Sequence, residues 1–283
     1  MLLHFSDSNS DYDSSDFVIF GVPYDSTSSF RHGSKFAPDE IRKASYNLES
    51  YLVEHDFDMS SAKIHDFGNI ISLDEDVQVE DVIDAVKFYA SKFFSEGKFP
   101  IMLGGEHSIT AGVAKAIHED AGIIFVDAHA DFRREYMGTK WSHAAWARRA
   151  FEILNGRVFA LGVRSISLEE KEDAERLGYG YLTSYEIREM GIESAVNEAK
   201  KRLGVSKIYL SVDIDGIDPS FAPGTGTPEF FGLTPWDVKA LINILAPNLI
   251  GMDIVEINPE YDNGNTAVLG ARLVQECIAA AIK

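Results

Sequence analysis

The chain is poor in cysteine, in positive charge and in long apolar runs, and each shortage excludes something. Cys277 is the single cysteine among 283 residues, so no intrachain disulfide can form and nothing marks an oxidising compartment. It stands in an apolar helical pattern and reads as a small core residue. Lys and Arg number 26 against 45 Asp and Glu, a formal net charge of −19. A nucleic-acid partner would need a basic face that this balance cannot assemble. Negative potential instead speeds the arrival of cations, although it also serves solubility alone. Apolar runs stay well short of the ~18 residues of a spanning helix. Residues 1–16 are polar and acidic, with neither the basic nor the apolar region of a secretory signal. A cytoplasmic protein without membrane contact is the expectation. Linkers, internal repeats and low-complexity tracts are missing as well, which predicts one domain over residues 1–283.

What is present is an alternation of two patterns. Apolar runs bounded by Gly, Pro or Asp predict strands at 17–21, 99–103, 122–126, 157–163, 180–182, 207–212 and 249–257. Between them lie stretches of helical spacing at 77–96, 108–119, 144–154, 168–177, 184–203, 234–245 and 266–282. The run Val79, Val82, Ile83, Val86, Tyr89, Ala90 and Phe93 shows the period most clearly. Such alternation implies crossover units and a mostly parallel sheet covered by helices, an α/β fold. A closed eight-stranded barrel satisfies the same alternation.

In either architecture ligands bind at the carboxyl ends of the strands, and the ionisable residues collect there. Asp127, His129 and Asp131 alternate at the end of one apolar run, and Asp213 and Asp215 repeat the pattern at the end of another. Gly104-Gly105-Glu106-His107 follows a third strand, His143 opens a helix, and Glu256 ends the last strand. Carboxylates and imidazoles beside apolar strands are costly to bury unless a cation compensates them. Along an ideal strand, residues 127 and 131 would stand ~13 Å apart. That is too far for one ion, so the backbone must curl or the ligands must divide between two ions about 3.5–4 Å apart. The proposed ligands are His107, Asp127, His129, Asp131, Asp213 and Asp215. Imidazole with carboxylate suits manganese better than calcium, and the lack of cysteine in the set weakens structural zinc. The expected chemistry is metal-assisted hydrolysis.

Blander readings accompany some of these residues. His143 follows Ser142 and could simply cap its helix, and Glu256 could pair with Arg272. His4, His55, His65 and His118 read as surface residues. His32, in the loop Phe30-Arg31-His32-Gly33, is a candidate neighbour of the site.

With these residues in hand, the sequence resembles the ureohydrolase family, the manganese enzymes that include arginase and agmatinase. The carriers are Gly104-Gly105-Glu106-His107-Ser108, Asp127-Ala128-His129-Ala130-Asp131 and Ser211-Val212-Asp213-Ile214-Asp215-Gly216-Ile217-Asp218-Pro219. The resemblance implies a three-layer α/β/α domain with an eight-stranded, mostly parallel sheet, assembled as a homotrimer or homohexamer. It implies two Mn²⁺ per chain on the six ligands, with a nucleophile that attacks a guanidinium carbon and releases urea. By the same resemblance Asp131 also orients the nucleophile, His143 relays protons to the leaving amine, and Glu256 holds the guanidinium of a small cationic substrate. The segment Phe132-Arg133-Arg134-Glu135-Tyr136-Met137-Gly138 is similar to the agmatinase version and offers no receptor for an amino-acid carboxylate. Gly224 within Phe221–Glu229 agrees, whereas the paired rings Phe230-Phe231 depart from the pattern and would reshape the pocket mouth. The expected substrate is agmatine, with aminopropyl-agmatine, guanidinobutyrate and arginine as alternatives. Outside the family stand a metal-dependent deacetylase, which would leave His107 and Asp215 without a role, and a metal-bound regulator without activity.

Overall fold

The apolar runs pair side by side into one open sheet. The computed structural model describes residues 3–73 and 77–282. Its strands are β1 Phe17–Val22, β2 Tyr51–Leu52, β3 Phe57–Asp58, β4 Ile64–Asn69, β5 Phe99–Gly104, β6 Ala121–Val126, β7 Val158–Val163, β8 Gly180–Thr183, β9 Lys207–Asp213 and β10 Leu249–Val255. Its helices are α1 Ala37–Ser45, α2 Val79–Ser95, α3 Thr110–Ala114, α4 Trp146–Ile153, α5 Leu168–Leu177, α6 Ser184–Met190, α7 Ile192–Leu203, α8 Pro235–Leu245 and α9 Asn265–Ile282. Short β2 and β3 form a separate hairpin. The other strands form an eight-stranded sheet in the order β4-β1-β5-β10-β9-β6-β7-β8. Every neighbouring pair is parallel. Since β4 and β8 are free edges, the closed barrel is excluded.

Both faces of the sheet are covered, which is why its strands are continuous apolar runs rather than alternating ones. On one face Ile41 of α1, Val196 of α7, Leu241 and Ile242 of α8 and Val274 of α9 pack against Ile19, Leu103 and Leu210. On the other, Val82 and Val86 of α2, Val113 of α3, Trp146 of α4 and Ala174 of α5 pack against Phe20, Met102 and Phe125. The result is the expected three-layer α/β/α arrangement. Cys277 lies fully buried in the first of these layers, as a core residue. No described helix is long and apolar enough to cross a membrane.

Several elements differ from the sequence pattern. Edge strand β4 was not expected, because Ile64-His65-Asp66-Phe67-Gly68-Asn69 is polar. Asp66 nevertheless lies buried there, with both carboxylate oxygens on the Arg42 guanidinium at 2.8 and 2.9 Å. The helix expected over 108–119 shrinks to a 3₁₀ turn, His107–Ile109, followed by the single short α3. The long helix expected over 184–203 breaks at Gly191, whose φ of 82° and ψ of 151° are open only to glycine. His55 is not a surface residue. It is buried with Nε2 2.8 Å from Glu276 Oε2.

The chain reverses its direction of winding around the sheet centre. After β1 and β5 it crosses to β6, runs out to β8, then returns to fill the gap with β9 and β10. Such a switch leaves a crevice beyond the carboxyl ends of the central strands.

Candidate metal centre

That crevice gathers all six expected ligands, together with His143 and Glu256. Each arrives by a local device. Gly105, after β5, passes so close to Tyr24 that a Cβ would stand 1.9 Å from the Tyr24 carbonyl oxygen, so only glycine lets His107 reach the rim. Beyond β6 the backbone curls as the reach argument demands. Asp131 adopts φ 47°, a left-handed conformation uncommon outside glycine. The curl brings its Oδ2 to 3.6 Å from His107 Nδ1. At the end of β9, Asp213 Oδ1 accepts the Asp215 N–H at 2.8 Å, so one tight turn aims both carboxylates. Glu256 also has positive φ, 62°. Its N–H donates to the Gly105 carbonyl, and its Oε1 accepts the His107 N–H, each at 2.8 Å.

The donor atoms form two triads that share one residue. His107, Asp127 and Asp213 make the first, and Asp127, His129 and Asp215 the second, with the donor atoms of each triad within 4.8 Å of one another. His107 Nδ1 stands 3.2 Å from Asp127 Oδ2 and 3.1 Å from Asp213 Oδ2. His129 Nδ1 stands 3.5 Å from Asp127 Oδ1 and 3.1 Å from Asp215 Oδ2. The shared Asp127 Oδ2 is buried without a hydrogen-bond partner, and such groups need an explanation in a well-built interior. A cation answers it.

The electrostatics agree. Burial, with the Asp127 carboxylate adding to it, pushes Asp131 well above the ordinary carboxylate range. Burial and neighbouring carboxylates do the same to Asp213 and Glu256. Asp215 is pushed up by burial too, yet His129 and the Ala128 amide hold it below its usual value. Burial disfavours charge on His129, and Asp215 and Asp127 more than reverse this. Anions packed this closely repel one another until positive charge enters. The donor set therefore fits two divalent cations.

His107 is held from behind. Its Nε2 lies 2.9 Å from Ser211 Oγ, which donates in turn to Asp253 Oδ1. With its one proton committed to Asp253, the hydroxyl accepts Nε2–H, and the Nδ1 lone pair is left facing the carboxylates. Thr110 Oγ1 donates to the other Asp253 oxygen at 3.0 Å. Trp146 stacks on the imidazole at 4.3 Å between centroids and donates Nε1–H to Asp131 Oδ2 at 2.9 Å.

A cavity of about 350 Å³ opens over the cluster, bordered by His129, Asp131, His143, Asp213, Asp215 and Glu256. The capping reading of His143 falls short, because its ring faces this cavity, with Nε2 3.4 Å from Ser29 Oγ. Burial pushes its pKa down to about 4. The Glu256–Arg272 pairing does not form, since Arg272 binds Gln275 instead. His32 turns its Nδ1 towards the Asp25 carbonyl and does not line the cavity. Phe230 and Phe231 are 65% and 71% exposed and lie outside the lining of this cavity. Arg133, in the segment expected to carry no carboxylate receptor, does line the cavity. Its guanidinium stands 3.5 Å from Glu170, and so its charge is already balanced.

Residues to which the sequence assigns no role of their own also shape the site. Glu106 is buried beside His107 and receives Thr27 N–H and Oγ1–H. Arg164 donates to main-chain carbonyls around the ligand turn, among them Asp215 at 2.6 Å.

Comparison with known proteins is consistent along the chain. A family model for the arginase family matches residues 15–280. The agmatinase of Halalkalibacterium halodurans is 35% identical over 279 residues, 96% of this chain and 94% of that protein. The N(1)-aminopropylagmatine ureohydrolase of Thermococcus kodakarensis is 34% identical over 274 residues, 94% of this chain and 91% of that one. The solved structure of an agmatine ureohydrolase from Thermoplasma volcanium superposes with a TM-score of 0.94 at 44% identity, covering 100% of this chain and 95% of that one.

Proposed function

Because the chain belongs to the arginase family, we propose that this urea-releasing hydrolase cleaves agmatine, with water, to putrescine and urea. The observation that carries the reading is the shared carboxylate. Asp127 serves both triads and keeps one buried oxygen without a hydrogen-bond partner. His107, Asp127, His129, Asp131, Asp213 and Asp215 would hold two Mn²⁺, the ion that a mixed imidazole–carboxylate set suits. When bound, the ions would lower the pKa of water enough to supply hydroxide at neutral pH.

The remaining roles belong to the chain. Glu256 offers a buried carboxylate to the planar donor fork of a guanidinium, and its position is locked by the His107 amide. Asp131, held by Trp146 Nε1–H, orients the attacking oxygen. His143 passes a proton to the departing amine through the nitrogen that faces the cavity. Its depressed pKa keeps it neutral at pH 7, so the proton resides there only in passing. Agmatine carries a cation at each end, and among the carboxylates lining the cavity Glu256 is the one that neither a proposed ion nor Arg133 takes up. Arginine would bring a carboxylate to an Arg133 already paired with Glu170. We further propose a single domain over residues 1–283, working in the cytoplasm as a homotrimer or homohexamer.

The test is urea release from agmatine, aminopropyl-agmatine, guanidinobutyrate and arginine. Agmatine should exceed arginine by at least about a hundredfold in kcat/KM, equivalent to ~2.7 kcal/mol. Parity between the two would defeat the substrate assignment, and faster turnover of aminopropyl-agmatine would move it to that compound.

A further inference from the structure

The loop between β1 and α1 reaches the cavity through one hydroxyl. Thr27 is 79 residues from Glu106 and 116 from His143 in sequence, yet it touches both. Its N–H donates to Glu106 Oε2 at 2.6 Å, and its Oγ1–H donates to Glu106 Oε1 at 2.6 Å. Glu106 is fully buried and also accepts Ser108 Oγ–H. The same Thr27 Oγ1 accepts the His143 N–H at 3.0 Å and lies 3.3 Å from His143 Nδ1.

A hydroxyl has one proton and two lone pairs. Four donors, Thr27 N–H and the Thr27, Ser28 and Ser108 hydroxyls, converge on the two Glu106 oxygens and favour its carboxylate form. The Thr27 proton therefore goes to Glu106, and one lone pair takes the His143 amide. The other faces Nδ1 and can only accept. Neutral His143 must therefore carry its proton on Nδ1, which leaves the Nε2 lone pair on the cavity side, where Ser29 Oγ stands 3.4 Å away and can donate to it. The edge of the ring also meets Tyr136, at 5.7 Å between centroids and 87° between planes. We infer that Thr27 is a positioning residue, anchored by Glu106, which fixes both the orientation and the tautomer of His143. The inference rests on the proton-relay role proposed for His143.

Thr27→Val removes the hydroxyl while keeping the shape and the amide bond to Glu106. It should lower kcat about 10- to 100-fold, part of the 10²–10⁴ typical of a whole acid–base group. KM for agmatine and metal content should match the unsubstituted enzyme, and Thr27→Ser should recover most of the rate. In a His143→Ala background, Thr27→Val should change kcat less than about twofold, because the group it positions is gone. Thr27→Ala serves the same purpose if valine prevents folding. A Thr27→Val enzyme with undiminished kcat would overturn the inference, as would an equal loss with or without His143. If His143→Ala itself kept full rate with both metals bound, the proton-relay role would fail first and the inference with it.

Discussion

The two imidazoles of the cluster stand on the same carboxylate but are built differently. His107 is buried, stacked on Trp146, tied through Ser211 to Asp253 and held at its amide by Glu256. His129 has a side chain 26% exposed at the cavity wall, with Asp127 and Asp215 as the carboxylates at its Nδ1. One half is therefore preorganised by a shell of fixed partners, and the other is left open where substrate arrives. Outer partners commonly set metal affinity by 10- to 100-fold. The difference thus predicts a tight site beside His107 and a weaker, more exchangeable one beside His129.

Asp127→Ala should break both halves at once. Metal content should fall from two towards zero, and urea release by at least about 10³-fold, the scale of losing several kcal/mol of charge stabilisation. Elemental analysis beside a urea assay measures this, and full occupancy would refute the shared-ligand reading. Chelation should likewise abolish activity, with Mn²⁺ restoring it more fully than Mg²⁺ or Ca²⁺. The single-histidine variants then separate the halves. His129→Ala should retain about one ion per chain, whereas His107→Ala should lose most of both, because the deep site anchors the shared Asp127. The opposite ranking would invert the comparison.

A subtler change sharpens it. Asp253→Asn removes the anion behind Ser211 while sparing every proposed ligand. It should weaken the tighter of two Mn²⁺ binding steps by about 10- to 100-fold and leave the weaker step in place. Calorimetric titration resolves the two. Weakening of the looser step alone would show that the outer shell acts elsewhere.

Ligands and supports were unequally legible in the sequence. The ligands stood out because ionisable residues at the ends of apolar strands have few innocent explanations, and both halves share that signature. Their supports did not. Ser211 and Asp253 sit inside strands and look like ordinary polar interruptions until the sheet places β9 beside β10. Thr27 belongs to a loop whose only link to the site is spatial. β4 was hidden because an edge strand tolerates polar residues that a central one excludes. His55 was misread because its polar neighbours Glu54 and Asp56 conceal a partner 221 residues away. Local pattern reports what a residue is made for, but not what holds it.

Arg164 offers the smallest and most selective test, because it braces the open half directly and the deep half only through the turn the two share. Its guanidinium donates to the carbonyls of Gly162 at 3.1 Å, Asp215 at 2.6 Å, Gly216 at 3.2 Å, Glu229 at 2.8 Å and Phe230 at 3.1 Å. Arginine has five N–H donors, so each finds a carbonyl. Two of these carbonyls belong to the ligand turn, and two to the loop bearing Thr227, whose hydroxyl donates to Asp215 Oδ2 at 3.0 Å. Lysine offers three donors from one point and cannot span both segments. Arg164→Lys should therefore leave at least two carbonyls unpaired, at about 1 kcal/mol each. The weaker Mn²⁺ step should lose about two- to tenfold in affinity, and Tm should fall by about 2–5 °C. The step beside His107 should move less, because Arg164 reaches that site only through the turn that also carries Asp213. Equal weakening of both steps would mean that the two halves are not mechanically separate, and the division between a braced site and an open one would have to be abandoned.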